Sequence, residues 1–163
     1  MKKLLIFRHA KSSWKHPELA DHDRPLSKRG KRDAPRMGEL MREHDMVPDL
    51  IISSTAKRAR QTADFVADTS GYQAEIQFER SFYAAEPEAL IDILQQVADN
   101  YECVMVVGHN PDLEELLEML TGDWERMPTA ALVLVELAIN KWARISPEVP
   151  GKLVDIWRPR ELG

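Results

Sequence analysis

The sequence has one cysteine, seven glycines and no long apolar run, and each shortage removes a class of protein. With Cys103 alone no intramolecular disulfide can form, which argues against the oxidising compartments where small domains rely on them. Cys103 opens the apolar run CVMVV and reads as a buried, inert thiol. No apolar stretch approaches the roughly 18 residues that a membrane span needs. The opening MKKLLIF offers only four apolar residues before Arg8 and His9, too short a core for a signal peptide. A cytoplasmic protein without membrane contact is expected. The glycines form no phosphate loop of the Walker or dinucleotide type, and no G-x-S-x-G elbow surrounds Ser53 and Ser54. His16 and His22 stand among carboxylates, yet neither HxxH nor HExxH spacing occurs, so neither a metal nor another cofactor is expected.

What is present suits one soluble domain. The chain has 163 residues, 44% of them hydrophobic and 30% charged, enough for a single α/β core and too few for two. No repeat, low-complexity tract or linker interrupts it, so residues 1–163 read as one domain, expected as a monomer. The net charge of −5 hides an asymmetry. Residues 1–60 hold 15 of the 22 Lys/Arg against 8 of the 27 Asp/Glu. A basic first third in an acidic protein suits a local anion site rather than nucleic acid, which calls for a basic stripe studded with aromatics.

Hydrophobic patterning sets the element order. Residues 3–7, 49–53 and 103–107 are short apolar runs that read as buried strands. Ser27 is placed to cap a helix to about His44, with Pro35 and Gly38 implying a kink or a later start. Ala59, Thr62, Ala63, Val66 and Ala67 fall on one helical face, and residues 74–78 form a short strand. Pro87 opens a helix to about Asp99. Asn110 is expected to cap a helix that has Pro111 in its first turn and Gly122 as terminator. Residues 131–139 and 153–157 supply two closing strands with no helix between them. The alternation predicts an α/β/α sandwich, its sheet mainly parallel with an antiparallel edge.

The chemistry gathers at strand ends. The three apolar strands finish at Arg8-His9, at Ser53-Ser54 and at Gly108-His109, and open α/β sheets bind ligands outside the carboxyl ends of their strands. Arg58 follows at the start of a helix, where a cation is mildly unfavourable. Two arginines and two histidines around one crevice suit a phosphate, whose oxygens match guanidinium forks bidentately.

Four segments carry a family resemblance. F-R-H-A-K-S-S-W at 7–14, S-T-A-K-R-A-R-Q-T at 54–62 and V-G-H-N-P at 107–111 resemble, in order, the motifs of the histidine phosphatase superfamily. D-H-D-R-P-L-S-K-R-G at 21–30 is similar to its SixA-type phosphohistidine phosphatase branch in particular. The resemblance implies the phosphoglycerate mutase-like fold, His9 as nucleophile, and Arg8, Arg58 and His109 around the phosphate, with Ser12 assisting. It further implies metal-independent hydrolysis of phosphohistidine on a phosphorelay or phosphocarrier protein in signal transduction. A phosphatase for a sugar phosphate or nucleotide is the alternative, and a silent phosphoprotein-binding module the rival from another class. Ala10 stands where glycine is commoner. The carboxylate that serves many relatives as general acid has no match: Glu79 and Glu86 flank R-S-F-Y-A-A, with Ala84 or Ala85 in the expected place.

Overall fold

The computed structural model describes residues 1–162. Six strands form one sheet in the order β3-β2-β4-β1-β5-β6. They are β1 (Lys2–Arg8), β2 (Leu50–Ser54), β3 (Ile76–Glu79), β4 (Cys103–Gly108), β5 (Leu132–Leu137) and β6 (Gly151–Trp157). Strands β1 to β4 are mutually parallel. The reversed strand is β5, whose pairings with β1 and β6 are both antiparallel, so the last two strands make the expected antiparallel edge.

Strand side chains alternate between two faces, and each face is covered by helices. Leu4 and Ile6 of β1, with Val104 and Val106 of β4, pack under α3 (Pro87–Leu94) and α4 (Asp112–Thr121). Leu5 and Phe7, with Met105 and Val107, pack under α1 (Lys28–Glu43) and α2 (Lys57–Ser70). The central strands are buried on both sides, which is why they appear in the sequence as unbroken apolar runs.

Helix α1 is continuous through Pro35, without the kink or late start that its sequence suggested. Ser27 caps it, accepting from the N–H of Gly30 at 3.2 Å. Ala34, Met37 and Met41 are wholly buried beneath it, and that burial outweighs the one backbone hydrogen bond that proline removes. Glycine is needed twice here for close approach. A Cβ on Gly30 would lie 2.2 Å from the Lys11 carbonyl oxygen, so the helix start is pressed against the loop that follows His9. A Cβ on Gly38 would lie 1.9 Å from Thr69 Oγ1 and 2.8 Å from the Val66 carbonyl, where α1 meets α2.

Other boundaries move. Helix α3 stops at Leu94 rather than near Asp99, because Gln96 and Val97 turn to i−3 carbonyls in a tightened final turn. Helix α4 begins at Asp112, and Asn110 does not cap it: its Nδ2 donates instead to the Met127 carbonyl at 2.9 Å. Gly122 ends α4 in the left-handed conformation, as expected.

The α1–α2 contact gives a stability test. Gly38→Ala adds a methyl group against backbone that cannot retreat, at a cost of about 1–3 kcal/mol. A fall in Tm of roughly 3–10 °C is expected by calorimetry. An unchanged or higher Tm would show that the two helices can separate freely.

Candidate active site

The adjacency of β2, β4 and β1 brings the three strand ends together, as the sequence predicts. His9 follows the last residue of β1. Its N–H donates to the Gly108 carbonyl at 3.1 Å, and its own carbonyl accepts from Ala130 N–H at 3.0 Å. Ala10 N–H donates to Thr62 Oγ1 at 3.0 Å, and that hydroxyl donates to the Arg58 carbonyl at 2.7 Å. Thr62 thereby locks the segment bearing His9 to the first turn of α2, which bears Arg58. Ala10 is wholly buried and is not among the residues with positive φ, so alanine in place of glycine causes no strain there.

The His9 ring is almost entirely buried, with Nδ1 2.7 Å from the Ala10 carbonyl oxygen. A carbonyl only accepts, so Nδ1 carries the proton and Nε2 holds the lone pair. Burial, and then His109, Arg58 and Arg8 nearby, hold the pKa well below the usual histidine value, against the pull of the Ala10 carbonyl. His9 is neutral at physiological pH. Its ring centroid lies 5.0 Å from that of His109.

His109 follows β4. Its Nε2 lies 2.8 Å from Ser54 Oγ, which also receives the N–H of Ala56 at 3.2 Å. The Ser54 hydroxyl can donate to Nε2, and in that arrangement the ring proton sits on Nδ1. That Nδ1 is buried and has no partner among the described residues. Burial and the two arginines push the His109 pKa down to about 4.

The guanidinium groups are fixed in different ways. Arg8 Nη1 donates to the Met127 carbonyl at 3.0 Å, while its Nε is buried without a partner among the described residues. Arg58 is buried and clamped by Asp21: Nη1 donates to its carbonyl at 2.8 Å and Nη2 to Oδ2 at 3.0 Å. Five N–H groups are available on a guanidinium, so this clamp leaves others to meet an anion. Asp21 itself is held from three sides. Oδ2 also accepts from the Tyr83 hydroxyl at 2.7 Å, and Oδ1 from Arg24 Nη1 at 2.8 Å. The Tyr83 hydroxyl above all, then Arg24 and Arg58, keep its carboxyl far below the usual carboxylate range. Ser12 reaches this network through Arg24, whose Nη2 donates to its hydroxyl. Trp14 stacks over the same guanidinium, 3.3 Å from its carbon to the ring centroid.

Such a set can bind a tetrahedral oxyanion. Two buried nitrogens, Arg8 Nε and His109 Nδ1, have no partner among the described residues, and a buried polar group left unmet costs about 1–3 kcal/mol. Among the described residues no three His, Cys, Asp or Glu side chains come close enough to hold a metal. In the loop before α1, His16 lies 3.5 Å from Glu18, and His22 bonds Thr55 Oγ1 at 2.9 Å.

Residues 4–83 match the histidine phosphatase superfamily (branch 1). The chain belongs to the histidine phosphatase superfamily. An uncharacterised protein of Mycobacterium tuberculosis is 36% identical over 152 residues, 86% of this chain and 92% of its own. A candidate phosphohistidine phosphatase SixA from Agrobacterium tumefaciens superposes with a TM-score of 0.83 at 28% identity, over 97% of this chain and 98% of its own. The mycobacterial glucosyl-3-phosphoglycerate phosphatase shares the fold at 15% identity, with a TM-score of 0.71 over 96% and 98% of the two chains. The sheet is thus of the phosphoglycerate mutase-like kind, and the chain is a phosphatase of this superfamily.

Within the histidine phosphatase site, sequence reasoning missed Asp21, Arg24, Thr62 and Tyr83. Asp21 and Arg24 lie in the D-H-D-R-P stretch and Thr62 closes the second motif, so their segments were visible without their roles. Tyr83 stands in the segment searched for a carboxylate. Glu79 bonds Gln77 Nε2 at 2.8 Å and Glu86 is exposed, and among the described residues neither bonds a member of the cluster.

The two depressed imidazoles make stability depend on pH. The unfolded chain binds protons at these histidines as pH falls below about 6.5, while the folded His109 resists until about 4. Stability is therefore full above 6.5 and declines through that window. The urea midpoint should fall between these values, less steeply in His109→Gln. Identical slopes in the two proteins would place His109 in contact with water.

Proposed function

We propose that this phosphatase hydrolyses phosphohistidine on a protein, through a covalent intermediate on His9 and without a metal. The observation that supports this reading is the state of Asp21, the carboxylate that, among the described residues, is bonded into the cluster. Asp21 is held ionised by Tyr83, Arg24 and Arg58 and has no proton to give.

The missing proton decides the substrate class. An alkyl phosphate must expel an alkoxide whose conjugate acid is about as weak as water, near pKa 16. General acid assistance to such a departure is typically worth about 10²–10⁴-fold. Phosphohistidine can already carry a proton on its second ring nitrogen, so the leaving group is neutral imidazole, with a conjugate acid near pKa 6.5. Exchange of one P–N bond for another is close to balanced.

In the first step the lone pair of His9 Nε2 attacks phosphorus. The P–N bond of the substrate breaks, and its electron pair returns to the departing imidazole. Positive charge developing on His9 is met by the Ala10 carbonyl at Nδ1. Arg8, Arg58 and His109 Nδ1 hold the phosphoryl oxygens, and Ser12 supports them through Arg24. In the second step water adds to phosphorus, the P–Nε2 bond breaks, and both water protons leave with inorganic phosphate. Positioning and charge do most of the work, as in phosphoryl transfer generally.

A substrate series tests this. kcat/KM should be highest for a phosphohistidine peptide or phosphoramidate and lowest for serine phosphate or a sugar phosphate. Aryl phosphates, whose phenol leaves with a pKa near 10 by analogy with tyrosine, should fall between. Exhaustive chelation should not change the order. Equal rates across the series would favour a small-ester phosphatase with an acid group in play, and no turnover of any substrate a binding module.

A further inference from the structure

We propose that the basic cleft beside Arg8 docks an acidic protein surface that surrounds the phosphohistidine of the substrate. This rests on the function proposed above and names the chemistry of the partner.

The cleft encloses about 1040 Å³ and takes in Arg8 at one end, so an occupant adjoins the phosphate site. Its walls come from the loop after β1, the exposed side of α1, the start of α4, residues 126–129 and the turn after β6. Eight of its side chains are Lys or Arg and three are carboxylates. Those carboxylates are engaged within the protein. Glu114 Oε2 accepts the Met127 N–H at 2.7 Å, Asp33 is buried beside Arg29 and Arg32, and Glu161 lies 3.5 Å from Arg158. No carboxylate among the described residues pairs with Lys11, Arg126 or Arg160, and Arg32, Arg126 and Arg160 are exposed.

The basic tract continues past the cleft. Lys11 and Arg29 also line an adjoining recess of about 430 Å³, with Lys15, Lys28 and Lys31 and no carboxylate. This extent argues for a macromolecular surface over a small polyanion, since pockets for small ligands are typically about 300–1,000 Å³ with few polar groups. The protein as a whole carries a net charge of −5. An acidic partner is therefore repelled elsewhere and steered to this one face. A nucleic acid is disfavoured by the same overall charge and by the lack of interleaved aromatics along the tract.

The test uses three phosphohistidine peptides with acidic, neutral and basic flanks, together with free phosphoramidate. The wild type should prefer the acidic over the neutral peptide by about tenfold or more in kcat/KM, through KM, at low salt. The preference should fade near 0.5 M salt, where the Debye length falls to a few ångströms. In the triple variant Arg32→Glu, Arg126→Glu, Arg160→Glu the preference should vanish, while phosphoramidate turnover stays at the wild-type value and reports an intact fold. Anisotropy of a labelled Asp/Glu-rich peptide lacking phosphohistidine reads the docking without turnover, so it succeeds or fails separately from the proposed chemistry. Equal kcat/KM for all three peptides together with no salt-dependent binding would overturn the proposal. So would stronger competition from ATP or a single-stranded oligonucleotide than from the acidic peptide, at equal charge and 0.15 M salt.

Discussion

The hydrogen bond from His9 Nδ1 to the Ala10 carbonyl, 2.7 Å long, constrains everything else at the site. It fixes the tautomer, aims the lone pair of Nε2, and offers a fixed dipole to any positive charge that develops on the ring. A hydrogen bond to a backbone atom of the next residue is only as rigid as that backbone. Here Gly108, Ala130 and Thr62 bind residues 9 and 10 from three different segments. The side-chain hydroxyl of Thr62 also reaches the Arg58 carbonyl. The segment bearing His9 and the first turn of α2, which bears Arg58, are thus joined by two hydrogen bonds through a single oxygen atom.

The electrostatic design follows from that rigidity. Burial above all, and then half-buried Arg8 and buried Arg58 beside them, keep both imidazoles neutral, because a further positive charge would meet both desolvation and repulsion. While Glu114 acts on Arg8, Asp21 relieves part of the repulsion and orients Arg58 and Arg24. Tyr83 adds a third donor to it, so the carboxylate remains an anion. It acts as a positioning residue and not as an acid. Arg8 Nε and His109 Nδ1, buried and without a partner among the described residues, are available to an oxyanion.

Much of this was legible in the sequence, and the reasons are specific. The β1, β2 and β4 runs are buried on both faces, so they stand out as apolar stretches that stop at Arg8-His9, Ser53-Ser54 and Gly108-His109. Asp21 and Tyr83 were hidden because they meet across 62 residues, and neither sits at a strand end. Pro35 misled because local propensity argues against a mid-helix proline, whereas the α1 packing face overrides it. Asn110 misled because a good capping residue was claimed by a more distant carbonyl, that of Met127. The basic cleft was foreshadowed by the charge imbalance of residues 1–60. Its far wall, with Arg126, Arg158 and Arg160, comes from the acidic remainder of the chain and needed the fold to bring it near.

In the proposed reaction phosphorus is transferred to one nitrogen of one residue, Nε2 of His9. Rapid acid-free quenching of the enzyme with phosphoramidate, followed by ³¹P NMR and peptide mapping, tests it directly. A base-stable, acid-labile phosphoryl group on His9 is expected, with the chemical shift of the Nε2-linked isomer and absent from His9→Ala. Label on Nδ1, on a serine, or on no residue at all during rapid turnover would contradict it.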